Sequence, residues 1–297
     1  MTLSQLDTLT QINLDDLVSA FGWQDRPALG RVLRALFINP ARAFAQQMVE
    51  FDNAVGHAGL GDGARQILRT RYVQDVRVHG CEQIPTSGAA LFLSNHPGLV
   101  DTLSLFAAIN RPDLRVIAFH RPFLVALMNT TRQLFFISDA DSERMRAVRQ
   151  VASHLRDGGA ALTFPAGEIE PDPAVHHDAL DSLDTWTDSA GVFMRFARDT
   201  NIVPVLVSGV VWGRILRHPL TLIKRTRKER ERLAAALQSL PMITKNARPT
   251  TVHVQVAKPI TLDEVGSTET SAIHHVVLQR MRGLIETPPK DHGKSAL

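Results

Sequence analysis

The stretch AALFLSNHPGLVD, Ala89 to Asp101, decides the fold. Its apolar run, Ala89 to Leu93, has turn residues on both sides, which predicts a buried strand. The run stops at Ser94-Asn95-His96, and Pro97-Gly98 predicts a turn. From Thr102 to Ile109 the pattern becomes helical. A strand, a turn and a helix in that order are the start of a βαβ unit.

Working outward, the same alternation recurs. Val73–Val78 reads as a strand and Gly80–Gly88 as a connection. Downstream, strands are predicted at Leu114–Ala118, Leu134–Ile137, Ala160–Phe164, Ile202–Val207 and Thr251–Val256. Helices are predicted at Phe123–Thr131, Ser142–Leu155, Ser189–Asp199, Lys224–Leu240 and Ser271–Ile285. Strands that alternate with helices imply an α/β fold: a mixed, mostly parallel sheet flanked by helices. Upstream, residues 1–25 are polar and weakly amphipathic. Pro27–Val49 is helical in pattern, Gly56, Gly59, Gly61 and Gly63 loosen the chain, and a second helix is expected over Ala64–Tyr72. The expected organisation is an N-terminal helical extension (1–72), an α/β domain (73–265) and a C-terminal helix and tail (266–297).

Composition narrows the class. The 297 residues are 44% hydrophobic and 21% charged, as in globular proteins, and the formal net charge is only +3. No nucleic-acid partner is expected, because such binders carry a stronger basic bias. Cys81 is the single cysteine, which excludes an intrachain disulfide or a cysteine-built zinc site and fits a reducing compartment. The first residues lack the basic start and long apolar core of a signal peptide. No window reaches the roughly 18 apolar residues of a membrane span; Ala89 to Asn110 comes nearest and is broken by Asn95, His96, Pro97, Gly98 and Asp101. The expectation is a cytoplasmic protein, soluble or peripheral to a membrane.

In parallel sheets, ligands sit beyond the carboxyl ends of strands. Two polar turns lie there: Asn95-His96, and Pro165-Ala166-Gly167-Glu168. A neutral imidazole takes a proton from a hydroxyl near pH 7, and does so better when a carboxylate holds its other ring nitrogen. The turn at Pro97-Gly98 places Asp101 at the start of the next helix, within reach of His96. A protein nucleophile is missing from this reading; if the substrate supplies the hydroxyl, His96 and Asp101 suffice as a dyad. The competing reading is structural: His96 ends a strand and Asp101 caps a helix.

The surroundings of this pair resemble the glycerolipid acyltransferase family, which includes lysophosphatidate and glycerol-3-phosphate acyltransferases. The resemblance rests on the Asn-His-x-x-x-x-Asp element after VRVHGCEQIPTSGAALFLSNH (Val76–His96), on LFFIS (Leu134–Ser138), on FPAGEI (Phe164–Ile169) and on IVPVLVSG (Ile202–Gly209). It covers Val73 to about Gly209, with a terminal strand at Val252–Pro259. It implies direct acyl transfer without an acyl-enzyme: His96 as general base, Asp101 as its orienter, and a lysolipid hydroxyl attacking the thioester of acyl-CoA or acyl-carrier protein. Asn95, Phe164, Pro165, Gly167, Glu168 and Arg121 are the implied substrate-binding residues. No metal or other cofactor is expected. The implied setting is the inner face of the membrane, in phospholipid biosynthesis.

The sequence departs from the family at two places. The common third element is Phe-Pro-Glu-Gly-Thr-Arg, but Ala166, Glu168 and Ile169 stand at its Glu, Thr and Arg positions. Ser138-Asp139 stand where an arginine usually follows the second element. Those arginines suit a phosphate, because a guanidinium fork matches its oxygens bidentately. Either other cations serve, with His120, Arg121, Arg132, Arg144 and Arg195 as candidates beside the amides near Gly167, or the acceptor is not a phosphomonoester. A hydrolase using water, and a lipid-binding relative without activity, are the rival readings.

Three further features stand out. His176-His177-Asp178 resembles a metal handle without a third ligand, and the loop Glu170–Asp184 that contains it reads either as solvated or as a lid. Arg214–Arg232 is basic, and Ile215, Leu216, Leu220, Leu222 and Ile223 within it precede its densest basic part, an interfacial composition suited to anionic lipid. The Pro27–Val49 helix either packs on the domain or dips into a bilayer beside Arg31 and Arg34.

Overall fold

The computed structural model describes residues 4–138, 140–176, 178–223, 227–289 and 291–297. Two helices, α1 (Gln5–Ala20) and α2 (Pro27–Thr70), precede the sheet. Then follow β1 (Asp75–His79), β2 (Ala90–Ser94), α3 (Leu99–Ile109), β3 (Leu114–Phe119), and the short α4 (Pro122–Val125) and α5 (Met128–Thr131). The middle of the chain holds β4 (Leu134–Ile137), α6 (Asp141–Arg156), β5 (Ala160–Thr163), α7 (Ser189–Phe196) and β6 (Asn201–Ser208). The last part holds α8 (Gly213–Leu216), α9 (Arg227–Lys245), β7 (Thr251–Val256), α10 (Leu262–Val265), α11 (Thr270–Glu286) and β8 (Lys294–Ser295).

The strands form one sheet in the order β4-β3-β5-β2-β6-β7-β1-β8. All pairs are parallel except β6–β7 and β1–β8. The mixed, mostly parallel sheet expected from the alternation is therefore present, with its N-terminal helical region. β2 sits between β5 and β6, with Leu91 opposite both Ala161 and Ile202, and all five of its residues are buried. That is why Ala90 to Leu93 is apolar without a break. Successive side chains go to opposite faces. Ala90 and Phe92 join the core under α2 and α3, whereas Leu91 and Leu93 join the core with α6, α7 and α11.

The carboxyl ends of β2, β3, β4, β5 and β6 share one edge, and the turns that carry the polar motifs gather there. The C-terminal segment is fastened to the sheet: Ala296 N–H donates to the Val76 carbonyl at 2.9 Å, and Arg65 Nε to the Ala296 carbonyl at 3.0 Å. Two residues of strand leave no period to detect, so β8 has no sequence signal.

The N-terminal region differs from its reading. α2 runs through the glycine cluster, and only Gly59 leaves helical geometry, at φ 82° and ψ 176°. Gly56 and Gly61 are there for close approach: a Cβ at Gly61 would meet Asn110 Oδ1 at 2.1 Å, and one at Gly56 would meet Asn129 at 2.8 Å. α1 and α2 are antiparallel, joined by the ion pairs Arg34–Asp15 and Arg42–Asp7. Leu33, Ala45 and Met48 of α2 are buried, whereas Leu29, Val32 and Leu36 are exposed. One stripe of this helix therefore packs and another is open. The helix expected at Phe123–Thr131 divides into α4 and α5 because Asp52 of α2 caps the second piece, accepting from the Thr130 amide at 2.7 Å and the Asn129 amide at 3.1 Å.

Among the described residues, no helix is long and apolar enough to cross a membrane. Of the basic run, Lys224 and Arg225 lie outside the described residues, as do the side chains of Leu222, Ile223, Arg227, Lys228, Glu229, Glu231 and Arg232. Of the residues before it, Ile215 is buried and Leu220 exposed.

Candidate functional site

The site begins where β2 runs out of partners. Asn95 is buried, and its side chain replaces the next rung of the ladder to β6: Nδ2 donates to the Val207 carbonyl at 2.9 Å, and Oδ1 accepts from the Val207 amide at 2.7 Å. A backbone pair of this kind cannot be left open in the interior. This clamp fixes the exit of the strand and turns His96 toward the open edge. The amide of Asn95 faces the sheet, so the structure gives it a positioning part rather than a face toward substrate.

Asp101 is in the first turn of α3 and is fully buried. Its Oδ2 accepts from His96 Nδ1 at 2.8 Å and from the Gly98 amide at 2.8 Å. Its Oδ1 accepts from the Thr102 hydroxyl at 3.0 Å and from the Thr102 amide. The carboxylate thus caps the helix and holds the imidazole at once, so the structural and catalytic readings of Asp101 describe one arrangement.

The His96 side chain is 27% exposed. With Nδ1 given to Asp101, the other nitrogen, Nε2, has no hydrogen-bond partner among the described residues. Burial pulls the imidazole pKa down, but the Asp101 carboxylate, by charge and by hydrogen bond, and the Glu170 charge outweigh it. His96 is held above its ordinary value. The Phe164 ring lies against it, with centroids 4.6 Å apart and planes at 33°.

The Phe-Pro-x-Gly element closes one side. The Gly167 amide donates to the Phe164 carbonyl at 3.0 Å, and Gly167 has φ +67°, which glycine adopts without strain. Pro165 is buried, and its carbonyl accepts from the Thr187 amide at 3.2 Å. Gly167, Glu168 and Ile169 are exposed at the edge. The Ile169 side chain stands open where the family form has arginine. Arg121 is exposed at the start of α4, beyond β3 and separated from β2 by β5, and its positive charge acts on Asp16 of α1. The structure therefore brings together His96, Asp101, Asn95 and Phe164, ranges Pro165, Gly167 and Glu168 beside them, and places Arg121 further along the same edge. Asp139 and His177 lie outside the described residues.

Sequence reasoning missed two acids. Glu170 is 5% exposed. Its Oε2 accepts from the His96 amide at 3.0 Å, and its Oε1 from Trp186 Nε1 at 2.7 Å and the Ser182 hydroxyl at 3.2 Å. Its own amide donates to the His96 carbonyl at 2.9 Å. Burial pushes its carboxyl up to about 7, although each of those donors pulls the other way. Asp172 is also buried and accepts from the amides of Ala174 at 2.9 Å, Gly209 at 3.0 Å and Val211 at 2.7 Å. Burial raises its carboxyl as well. The loop from Glu170 onward is therefore stapled to the ends of β2 and β6, with Ala179, Leu183 and Trp186 buried beneath it. It is a wall of the site and not a lid. In the sequence, the loop Glu170–Asp184 reads as solvated or as a lid, because the partners that bury Glu170, and most of those of Asp172, lie elsewhere in the chain.

The arrangement can take a proton from a hydroxyl at Nε2 and stabilise the resulting imidazolium from behind. Residues 75–208, which contain every part of the dyad and its walls, match the acyltransferase family model. No curated protein sequence matches the chain. Among solved structures, the chain is similar to PlsC, the 1-acyl-sn-glycerophosphate (LPA) acyltransferase of Thermotoga maritima, at 18% identity over 95% of this chain and 97% of that one, with a TM-score of 0.42.

Proposed function

For a chain whose residues 75–208 belong to the acyltransferase family, we propose transfer of a fatty acyl group from acyl-CoA or acyl-carrier protein to the hydroxyl of a lysolipid of the 1-acyl-glycerol-3-phosphate type. The observation that carries this reading is the His96–Asp101 dyad: Nδ1 committed to a buried carboxylate, and Nε2 turned to the open carboxyl edge. The acceptor hydroxyl gives its proton to His96 Nε2 as its oxygen bonds to the thioester carbonyl carbon. The tetrahedral intermediate collapses with cleavage of the C–S bond. The leaving sulfur takes the proton back from the imidazolium, so His96 ends neutral. Asp101 keeps the tautomer and stabilises the charge in between.

A lysolipid acceptor resides in a bilayer, so the protein has to meet a membrane surface. The exposed stripe Leu29, Val32 and Leu36, with Arg31 beside it, has an interfacial composition. Peripheral attachment at the inner membrane face is the corresponding localisation.

One observation favours a second reading of the acceptor. Ile169 and Glu168 are exposed where a phosphate-binding fork would be expected. Arg121 or the amides near Gly167 then have to take the phosphate, or the acceptor is a lysophospholipid or an amino-acid-derived lysolipid without a phosphomonoester. The test is free-thiol release from palmitoyl-CoA in mixed micelles containing lysophosphatidate, lysophosphatidylethanolamine or an amino-acid-derived lysolipid. Release that requires lysophosphatidate supports the first reading. Release that requires one of the others moves the acceptor class. Release indifferent to the acceptor means hydrolysis, and no release with either CoA or carrier-protein donors means a lipid-binding protein.

A further inference from the structure

We infer that Glu170 is a positioning residue for His96: its carboxylate holds the histidine's backbone from beneath and offsets the charge that the imidazole takes up. The inference rests on the reading of His96 as the base. It concerns a residue outside the family motif and outside the dyad.

The geometry is reciprocal. His96 N–H donates to Glu170 Oε2 at 3.0 Å, and Glu170 N–H donates to the His96 carbonyl at 2.9 Å. One residue thus takes both backbone groups of the base, so the imidazole cannot shift along the edge without breaking this clamp. The far oxygen is anchored in turn by Trp186 Nε1 at 2.7 Å and Ser182 Oγ at 3.2 Å. These donors come from the segment that closes the wall of the site, and both are neutral. The charged group facing Glu170 is His96, and Asp101 from α3 faces His96 on its other side.

A neutral acceptor would satisfy the same amide at a smaller desolvation cost, because a buried carboxylate is expensive unless its charge is used. Here it is used twice. The carboxylate receives three side-chain and backbone donors, and its field adds to that of Asp101 on the ring. Asp172, two residues on, makes the contrast: it is equally buried, but its oxygens serve amides of 174, 209 and 211 and none of the dyad.

The experiment uses the full chain with Glu170→Gln and Glu170→Asp, folding being checked by circular dichroism. Two readouts are taken: the pH profile of thiol release, and the titration of the His96 ring followed by 15N NMR, which needs no activity. Glu170→Gln removes the charge and presents an NH2 to one of its former donors. It is expected to lower kcat by roughly ten- to a hundredfold, the scale of one charge-assisted hydrogen bond, while KM for the thioester changes little. His96 then titrates at lower pH, and the acid limb of kcat/KM moves with it. Glu170→Asp keeps the charge and returns the limb toward its wild-type place. A folded Glu170→Gln whose His96 titrates as in wild type overturns the inference, whether or not its rate has fallen. Should Glu170→Gln fail to fold, Trp186→Phe takes its place. Losing that donor leaves Glu170 less charged, so His96 again titrates lower, and an unmoved titration overturns the inference. If wild type releases no thiol with any acceptor, the acyltransferase reading fails, yet the NMR titration still decides whether Glu170 governs His96.

Discussion

Two histidine–carboxylate pairs stand at opposite edges of the same sheet. His96 Nδ1 meets Asp101 at 2.8 Å, and His79 Nδ1, at the far end of β1, meets Asp291 at 2.5 Å. Distance does not tell them apart, but burial does. Asp101 is 0% exposed and Asp291 is 71% exposed, whereas His96 keeps 27% of its side chain open and His79 only 7%. The His96 pair hides the acid and presents the base. The other hides the base and presents the acid. His79 Nε2 is also taken by His253 Nδ1 at 3.0 Å, and the Gly293 backbone lies over its ring. His79 has no nitrogen left for a substrate, so its pair ties the C-terminal tail to β1.

The comparison breaks first on the histidines. His96→Ala is expected to reduce acceptor-dependent thiol release by up to about 10⁴-fold, the upper range for a general base. His79→Ala is expected to leave the rate unchanged and to lower the Tm. Equal losses in the two variants would mean that burial does not separate the pairs. The carboxylates come next. Asp101→Asn keeps the shape but removes the charge behind the ring, and a loss of about 10²–10³ in kcat is expected from single-turnover measurements. Asp291→Asn is expected to leave kcat at its wild-type value.

A third prediction concerns pH and stability. Folding raises the Glu170 carboxyl from 4.5 to about 7. A carboxyl raised in this way contributes stability that is complete below its unfolded value and is lost as pH rises through its folded value. The group therefore withdraws on the order of 3 kcal/mol between pH 4.5 and 7. Urea unfolding at pH 5 and pH 8 checks it: wild type loses this component on going to pH 8, and Glu170→Gln does not. Parallel pH dependence in the two proteins would remove Glu170 from the account.

The smallest effect is expected at Asn95. Asn95→Ala leaves the buried Val207 amide and carbonyl without partners, at a cost of about 1–3 kcal/mol. Denaturant unfolding measures that loss. A fall in kcat at temperatures where the variant is still folded would show that the clamp also aims His96.

Much of this was legible in the sequence because it is local. The apolar run ending at Leu93 marks a strand, and the six residues from His96 to Asp101 hold a turn and a helix start; that spacing alone is a weak signal, and the surrounding motifs are what single out the pair. Glu170 and Asp172 were not legible, because what buries them, Trp186, Ser182, Gly209 and Val211, lies 12 to 39 residues away in chain. The glycines of α2 misled for the same reason. Gly56 and Gly61 read as loosening the chain, but they mark where Asn129 and Asn110 approach the helix, a feature of packing that has no local pattern. Ile169 stands between these cases: its identity was readable, but its exposed place at the edge required the fold.

A base with a buried carboxylate behind it and an open nitrogen in front is arranged to move an acyl group. The most direct test is thiol release from palmitoyl-CoA with lysolipid acceptors, run side by side on wild type, His96→Ala and His79→Ala. The account predicts acceptor-dependent release by wild type and His79→Ala, and its loss in His96→Ala. Release that survives His96→Ala would contradict it.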